Sequence, residues 1–295
     1  DHRPNQKLYI RLMLYTYMLN KSLLILSLAF LLSISLISAN HNDDITTFTT
    51  PSGIIINVPE QALQNTHATL LSDGRTLERR IHIFYKFNHN PNHNPPGQQG
   101  GGGTSSCFAF ISNGAKWKTT EQYVLSTSNN DGLSSSFVTS TISTSLDTWD
   151  NEVAFDIFGI QDTNSVVDGP DTNSPDNKNE IMLGSISNPG VIAVTIVWGF
   201  FGGPPSQREI IEYDMVFDDP DFLWGDAGPT SETSLGNTAI MDFKNIAVHE
   251  IGHAAGLSHP SNTCAEETMY AFSQEGETKK RTLNPGDIAG INALY

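Results

Sequence analysis

The sequence predicts an α+β fold in which one sheet is layered against a few helices. Three observations carry this. Apolar runs rich in β-branched and aromatic residues recur at VAFDIFGI, EIMLGSI, GVIAVTIVWGFF and EIIEYDMVF, between residues 153 and 217, as expected of buried strands. Residues 133–149 place Val138, Ile142, Leu146 and Trp149 at helical spacing. Two more helical segments close the chain. One runs from Asp242, a good N-cap, through Gly256; the other starts at Asn284-Pro285, a cap followed by a first-turn proline, and ends near Leu294.

The remaining segments fall into place in chain order. Met18 and Lys21 precede SLLILSLAFLLSISLISA, an apolar stretch that ends on the small residue Ala39. Residues 1–39 therefore read as upstream sequence and a secretory signal peptide. Residues 40–87 form a short N-terminal segment with strand-like alternation at GIIINV and RIHIFYKF. Residues 88–104, with NPNHNPPGQQGGGG and no apolar periodicity, are a linker. Residues 105–295 make one catalytic-sized domain, opening with the strand-like KWKTTEQYVL at 116–125. The Asp/Asn-rich stretch 161–180 reads as a surface loop.

Composition narrows the function classes. The formal net charge is −16, which argues against nucleic acid as a partner because the phosphates would be repelled. Such a balance suits an exported, soluble monomer, with no stable membrane insertion once the signal is removed. Two cysteines, Cys107 and Cys264, suffice for one disulfide in an exported protein.

The informative segment is HEIGHAAGLSH, His249 to His259. His249 and His253 are four apart, so on a helix they stand on one face and reach one zinc ion together. Glu250 is rotated about 100° from His249 and is placed to take a proton from water rather than to bind metal. Gly256 stops the helix, and the reversed chain returns His259 as a third ligand. Three protein ligands leave a fourth position open for water, the mark of a catalytic zinc site.

These residues resemble the signature of the metzincin metallopeptidases, and within them the matrixins and their prokaryotic relatives. The resemblance spans roughly residues 107–295. Thr268-Met269-Tyr270, ten residues past His259, looks like the Met-turn whose methionine floors the imidazoles. DMVFDDPDFLWG resembles the strand and acidic turn before the active-site helix, and DIAGINALY the closing helix. The resemblance implies a zincin-like catalytic domain: a twisted, mostly parallel sheet, an active-site helix, a Met-turn and a C-terminal helix. Pro260 and Ala271 depart from the residues matrixins usually carry at those places. The extra histidines of a second, structural zinc are missing, so one zinc is expected. So is the cysteine-bearing latency motif. Asp218, Asp219 and Asp221 are candidate calcium ligands, with a solvated acidic loop as the plain alternative.

The implied function is a secreted zinc-dependent endopeptidase, extracellular or cell-surface associated, acting on a protein or peptide substrate with Glu250 as general base. An extended substrate would pair with an exposed sheet edge, for which GVIAVTIVWGFF is the candidate. The alternatives are a non-cleaving zinc-containing binding module at the cell surface and a hydrolase of small amides. A Cys107–Cys264 disulfide would close a long loop, worth up to about 5 kcal/mol in the chain-entropy model. The competing arrangement makes Cys107 a free thiolate on the zinc that keeps a precursor inactive.

Overall fold

The computed structural model describes residues 45–49, 55–59, 68–87, 107–228 and 237–295. The signal-peptide reading of residues 1–39 and most of the linker lie outside the described residues. The strands before the first helix are β1 (Ile45–Thr49), β2 (Ile55–Pro59), β3 (Ala68–Leu70), β4 (Thr76–Lys86), β5 (Ala109–Phe110) and β6 (Glu121–Leu125). Helix α1 (Ser135–Asp150) leads to β7 (Phe158–Gln161), β8 (Glu180–Ile186), β9 (Val191–Phe200), β10 (Glu209–Asp218), β11 (Trp224–Gly225) and β12 (Met241–Asp242). Then come α2 (Phe243–Ala254), β13 (Leu257–Ser258), β14 (Phe272–Ser273) and α3 (Pro285–Leu294).

Strands β7, β6, β8 and β10 are mutually parallel, and β9 is antiparallel beside β10. The expected α+β layering is what the chain adopts, with this parallel run set in a mixed sheet. Helix α1 begins at Ser134, whose hydroxyl accepts the Phe137 N–H at 3.2 Å and so satisfies one orphan donor of the first turn. Its buried stripe holds Val138, Ile142, Leu146 and Trp149, the four residues whose spacing predicted the helix. Two strand predictions were too long. Residues 116–120 precede β6 and meet the sheet through an isolated Lys116–Glu209 bridge rather than as a strand. Residues 153–157 also lie outside β7, because the Asp150 carboxylate accepts the Ile157 N–H at 2.9 Å and turns the chain there.

The expectation that GVIAVTIVWGFF offers an exposed sheet edge is overturned. Strand β9 lies inside the sheet, between β10 and β4, and every residue of it is buried. Its partner on that edge is β4, antiparallel over the register Glu78↔Gly199 to Tyr85↔Val191. A strand apolar at nearly every position fits being covered on both faces, and β4 supplies the missing edge partner.

Helix α2 is the centre of the molecule. Asp242 caps it by accepting the Asn245 N–H at 2.8 Å. At its other end Trp117 Nε1 donates to the Ala254 carbonyl at 2.8 Å and Tyr295 Oη to the Ala255 carbonyl at 3.0 Å. Side chains thus satisfy carbonyls that a helix end leaves free. Gly256 then reverses the chain at φ +107°, where a Cβ would lie 2.9 Å from the Ala115 carbonyl oxygen. Gly256→Ala is expected to destabilise the protein by more than about 1 kcal/mol, read as a lower urea midpoint at unchanged slope.

Candidate active site

Helix α2 buries His249, Glu250 and His253 completely, and the turn after Gly256 returns His259 at 3 % exposure. The Nε2 atoms of His249 and His253 each lie 3.1 Å from Nε2 of His259. His249 Nδ1 is 2.6 Å from the Thr268 carbonyl and His253 Nδ1 is 2.9 Å from the Leu257 carbonyl. A carbonyl only accepts, so both Nδ1 atoms carry the proton and both Nε2 lone pairs point at His259. Burial pushes the pKa of His249 and His259 well below the ordinary histidine value and that of His253 down to about 4. The rings are therefore neutral at pH 7. Lone pairs converging in a dry pocket need a cation between them, and three imidazoles suit zinc. The residues present fit that ion.

Glu250 stands beside this cluster. Thr195 of β9 donates to its Oε2 at 2.5 Å, while Oε1 is buried with no partner. Burial pushes its pKa up to about 8, against the Thr195 hydrogen bond, which pulls it down. An oxygen left free at such a place can accept a proton. Thr195 was not foreseen; only the pairing of β9 over α2 brings it to Glu250.

The Met-turn lies under the helix. Met269 is buried, and its Sδ would be 2.2 Å from a Cβ built on Gly252. The small residue inside HEIGH is what lets the methionine approach. Asp287 of α3 holds this turn by accepting the Thr268 and Met269 N–H groups at 2.7 and 3.1 Å. Glu267 answers by accepting the Gly286 and Asp287 N–H groups at 2.9 and 3.1 Å. A hydrogen-bonded path thus runs from Asp287 through Thr268 to the ring of His249. Cys107 and Cys264 are joined, with Cα atoms 5.5 Å apart across 157 residues of sequence, so neither is free to be a thiolate ligand. The bond ties the start of the catalytic unit to the loop between His259 and Met269.

The acidic candidates divide differently from the expectation. The carboxylates of Asp218, Asp219 and Asp221 do not converge as a trio among the described residues. Asp218 Oδ1 accepts the Ile186 N–H at 3.0 Å, and Asp219 Oδ2 accepts the Asn130 N–H at 2.9 Å. Asp171, Asp176 and Glu212 instead bring carboxylate oxygens within 4.8 Å of one another. The loop at 161–180 is thus no plain surface loop: Trp198 Nε1 donates to the Asp171 carbonyl at 2.8 Å, and Gly169 and Pro170 are buried.

Strand β4 completes the site from the open side. The ring of His82 stacks on His253 at 4.1 Å between centroids, and that of Phe84 stacks on His249 at 3.7 Å. Both rings are buried.

A sheet above a histidine-bearing helix, with a methionine turn beneath the imidazoles, is the build of the metzincins. Within them, residues 203–295 match the family model described as Matrixin, and the chain is matrixin-like. It is 31% identical to Metalloendoproteinase 5-MMP of Arabidopsis thaliana over 120 residues, 36% of this chain and 32% of that protein. It is 39% identical to Metalloendoproteinase 1 of Glycine max over 77 residues, 26% of this chain and 24% of the relative. Matrix metalloproteinase-19 of Homo sapiens is 35% identical over 98 residues, 32% of this chain and 17% of that protein. The chain thus spans a third or less of the length of these relatives.

The Asp287 path gives a test remote from the ligands. Asp287→Asn should weaken zinc binding by about 10–100-fold, the usual effect of loosening a ligand's hydrogen-bonded support. Competition with a chromogenic chelator measures it.

Proposed function

We propose that the protein is a secreted zinc-dependent endopeptidase with His249, His253 and His259 as zinc ligands and Glu250 as general base. The observation that carries the reading is the convergence of three imidazoles beside a buried carboxylate oxygen that has no other partner. When bound, zinc supplies Lewis-acid polarisation of a carbonyl and a water acidic enough to attack at neutral pH.

Every other step belongs to the chain. Thr195 fixes one oxygen of Glu250, which leaves the other aimed to accept the proton of the attacking water. Once protonated by the water, the same group passes that proton to the leaving amine. The dry surroundings of the site strengthen each of these interactions. A non-cleaving binding module would not need Glu250, and its presence with a dedicated Thr195 partner favours hydrolysis. Secretion is supported by the apolar stretch that ends at Ala39 and by the disulfide, a bond that persists in oxidising compartments. No helix among the described residues is long and apolar enough to cross a membrane. The substrate is a protein or peptide, the domain acts as a monomer, and nucleic acid is not a partner.

For calcium, Asp171, Asp176 and Glu212, whose carboxylate oxygens lie within 4.8 Å of one another, are a second candidate beside Asp218, Asp219 and Asp221. Oxygen-only trios suit hard cations, and Glu212 Oε1 is buried without a partner. Burial pushes the Glu212 pKa up to about 9, so without a cation this carboxyl holds a proton at neutral pH.

Glu250→Ala should keep zinc at full stoichiometry and lower peptide hydrolysis at least about a hundredfold; normal cleavage by this variant would remove Glu250 from the mechanism. 1,10-Phenanthroline should abolish activity on casein, and zinc or cobalt should restore it. Recovery with calcium alone would refute the zinc assignment. Calcium at a hundredfold above its Kd adds about 2.7 kcal/mol of stability, which appears as a higher Tm. That rise should vanish in Glu212→Gln and persist in Asp221→Asn.

A further inference from the structure

The three candidate ligands are not held alike. The Nδ1 atoms of His249 and His253 each donate to a backbone carbonyl, of Thr268 and of Leu257. Such a bond fixes both the tautomer and the plane of a metal-binding imidazole. His259 lacks this support: its Nδ1 is buried with no hydrogen-bond partner among the described residues. The first two rings also stand on α2, whereas His259 follows the reversal at Gly256. Its Nε2 is nevertheless the atom that faces both other rings. Where it points is decided by the backbone that carries it.

That backbone is gripped on both sides by one strip of chain. Just before His259, β13 pairs antiparallel with β5 through Leu257↔Phe110 and Ser258↔Ala109. The Ile111 N–H donates to the Gly256 carbonyl at 2.9 Å and extends the pairing back to the reversal. Five residues past His259, Cys264 is bonded to Cys107. The strip 107–111 thus meets the histidine's segment at its entry and at its exit. Between the two grips Ser261, Asn262 and Thr263 are exposed, and the turn closes where the Cys264 N–H donates to the Ser261 carbonyl at 2.9 Å. An exposed turn has little packing of its own with which to hold a ring in place.

The strip has its own anchor. Phe108 packs against Gly290 of α3, where a Cβ would lie 2.9 Å from the Phe108 Cβ. The Phe108 and Phe110 rings meet at 5.4 Å between centroids. The same helix holds the Met-turn through Asp287. Helix α3 therefore stands behind His249 by way of Thr268, and behind His259 by way of the strip.

We infer that residues Cys107–Ile111, with the Cys107–Cys264 bond, are the positioning element of the third zinc ligand, a clamp that replaces from both ends of the loop the hydrogen bond the His259 ring lacks. That role rests on the zinc-site reading of the three histidines. Two fixed rings and one loose ring would have to order the third when the ion binds. The clamp meets that ordering cost at folding instead, which is preorganisation.

A double-mutant cycle on zinc affinity tests this, read by competition with a chromogenic chelator while near-ultraviolet dichroism shows each protein folded. The full chain is compared with Cys107→Ser/Cys264→Ser, with His259→Ala, and with all three substitutions together. Replacing both cysteines leaves no lone thiol to bind metal. In the wild-type background the cysteine replacement should weaken zinc about tenfold or more, the effect of removing a ligand's support. In the His259→Ala background it should change zinc affinity by less than about twofold, because the ring it serves is gone. Equal loss in both backgrounds, or none in either, overturns the clamp and leaves the zinc site standing. His259→Ala binding zinc as tightly as wild type refutes the ligand assignment, and the clamp with it. A second variant keeps both cysteines and inserts two glycines between Asn262 and Thr263, in the exposed turn, where the fold tolerates added length. It runs through the same cycle even where the cysteine variant fails to fold. Weaker zinc binding that disappears in the His259→Ala background supports the clamp, and unchanged zinc affinity overturns it.

Discussion

Neutral imidazoles turned lone pair to lone pair inside a dry core repel one another unless something positive lies between them. His249 and His253 turn their Nε2 atoms to Nε2 of His259 at 3.1 Å, and all three rings are buried. Much of the surrounding structure can be understood as holding this unfavourable arrangement still. Burial keeps the rings neutral, carbonyls at Thr268 and Leu257 fix their tautomers, and Gly256 makes the reversal that returns the third ring. A metal ion would satisfy these nitrogens, and its binding would then be linked to folding.

Much of the support for the metal side comes from carboxylates placed against backbone N–H groups. Asp242 caps the helix, Asp287 and Glu267 lock the Met-turn to α3, and Asp150 turns the chain after α1. Charge-assisted bonds of this kind are stronger than neutral ones, and they partly explain where an acidic composition is used. Arg281 ties the helix cap to the residue after β11, since it pairs with both Asp242 and Asp226. The acidity is thus built partly into the frame and is more than a solubility device.

The histidine cluster was legible in the sequence because its geometry is local. A four-residue helical spacing and one glycine stop fix where the three histidines fall, and Met269 follows at short range. Thr195, Asp287 and Glu212 were not legible, because each is brought to its partner by strand order or by docking of a distant helix. The misplacement of β9 has a clear cause. An almost unbroken apolar run signals a strand covered on both faces, and that signal was outweighed by the expectation of an open substrate edge. The alternation in RIHIFYKF revealed a strand while leaving its neighbour unspecified, since pairing partners are a tertiary property.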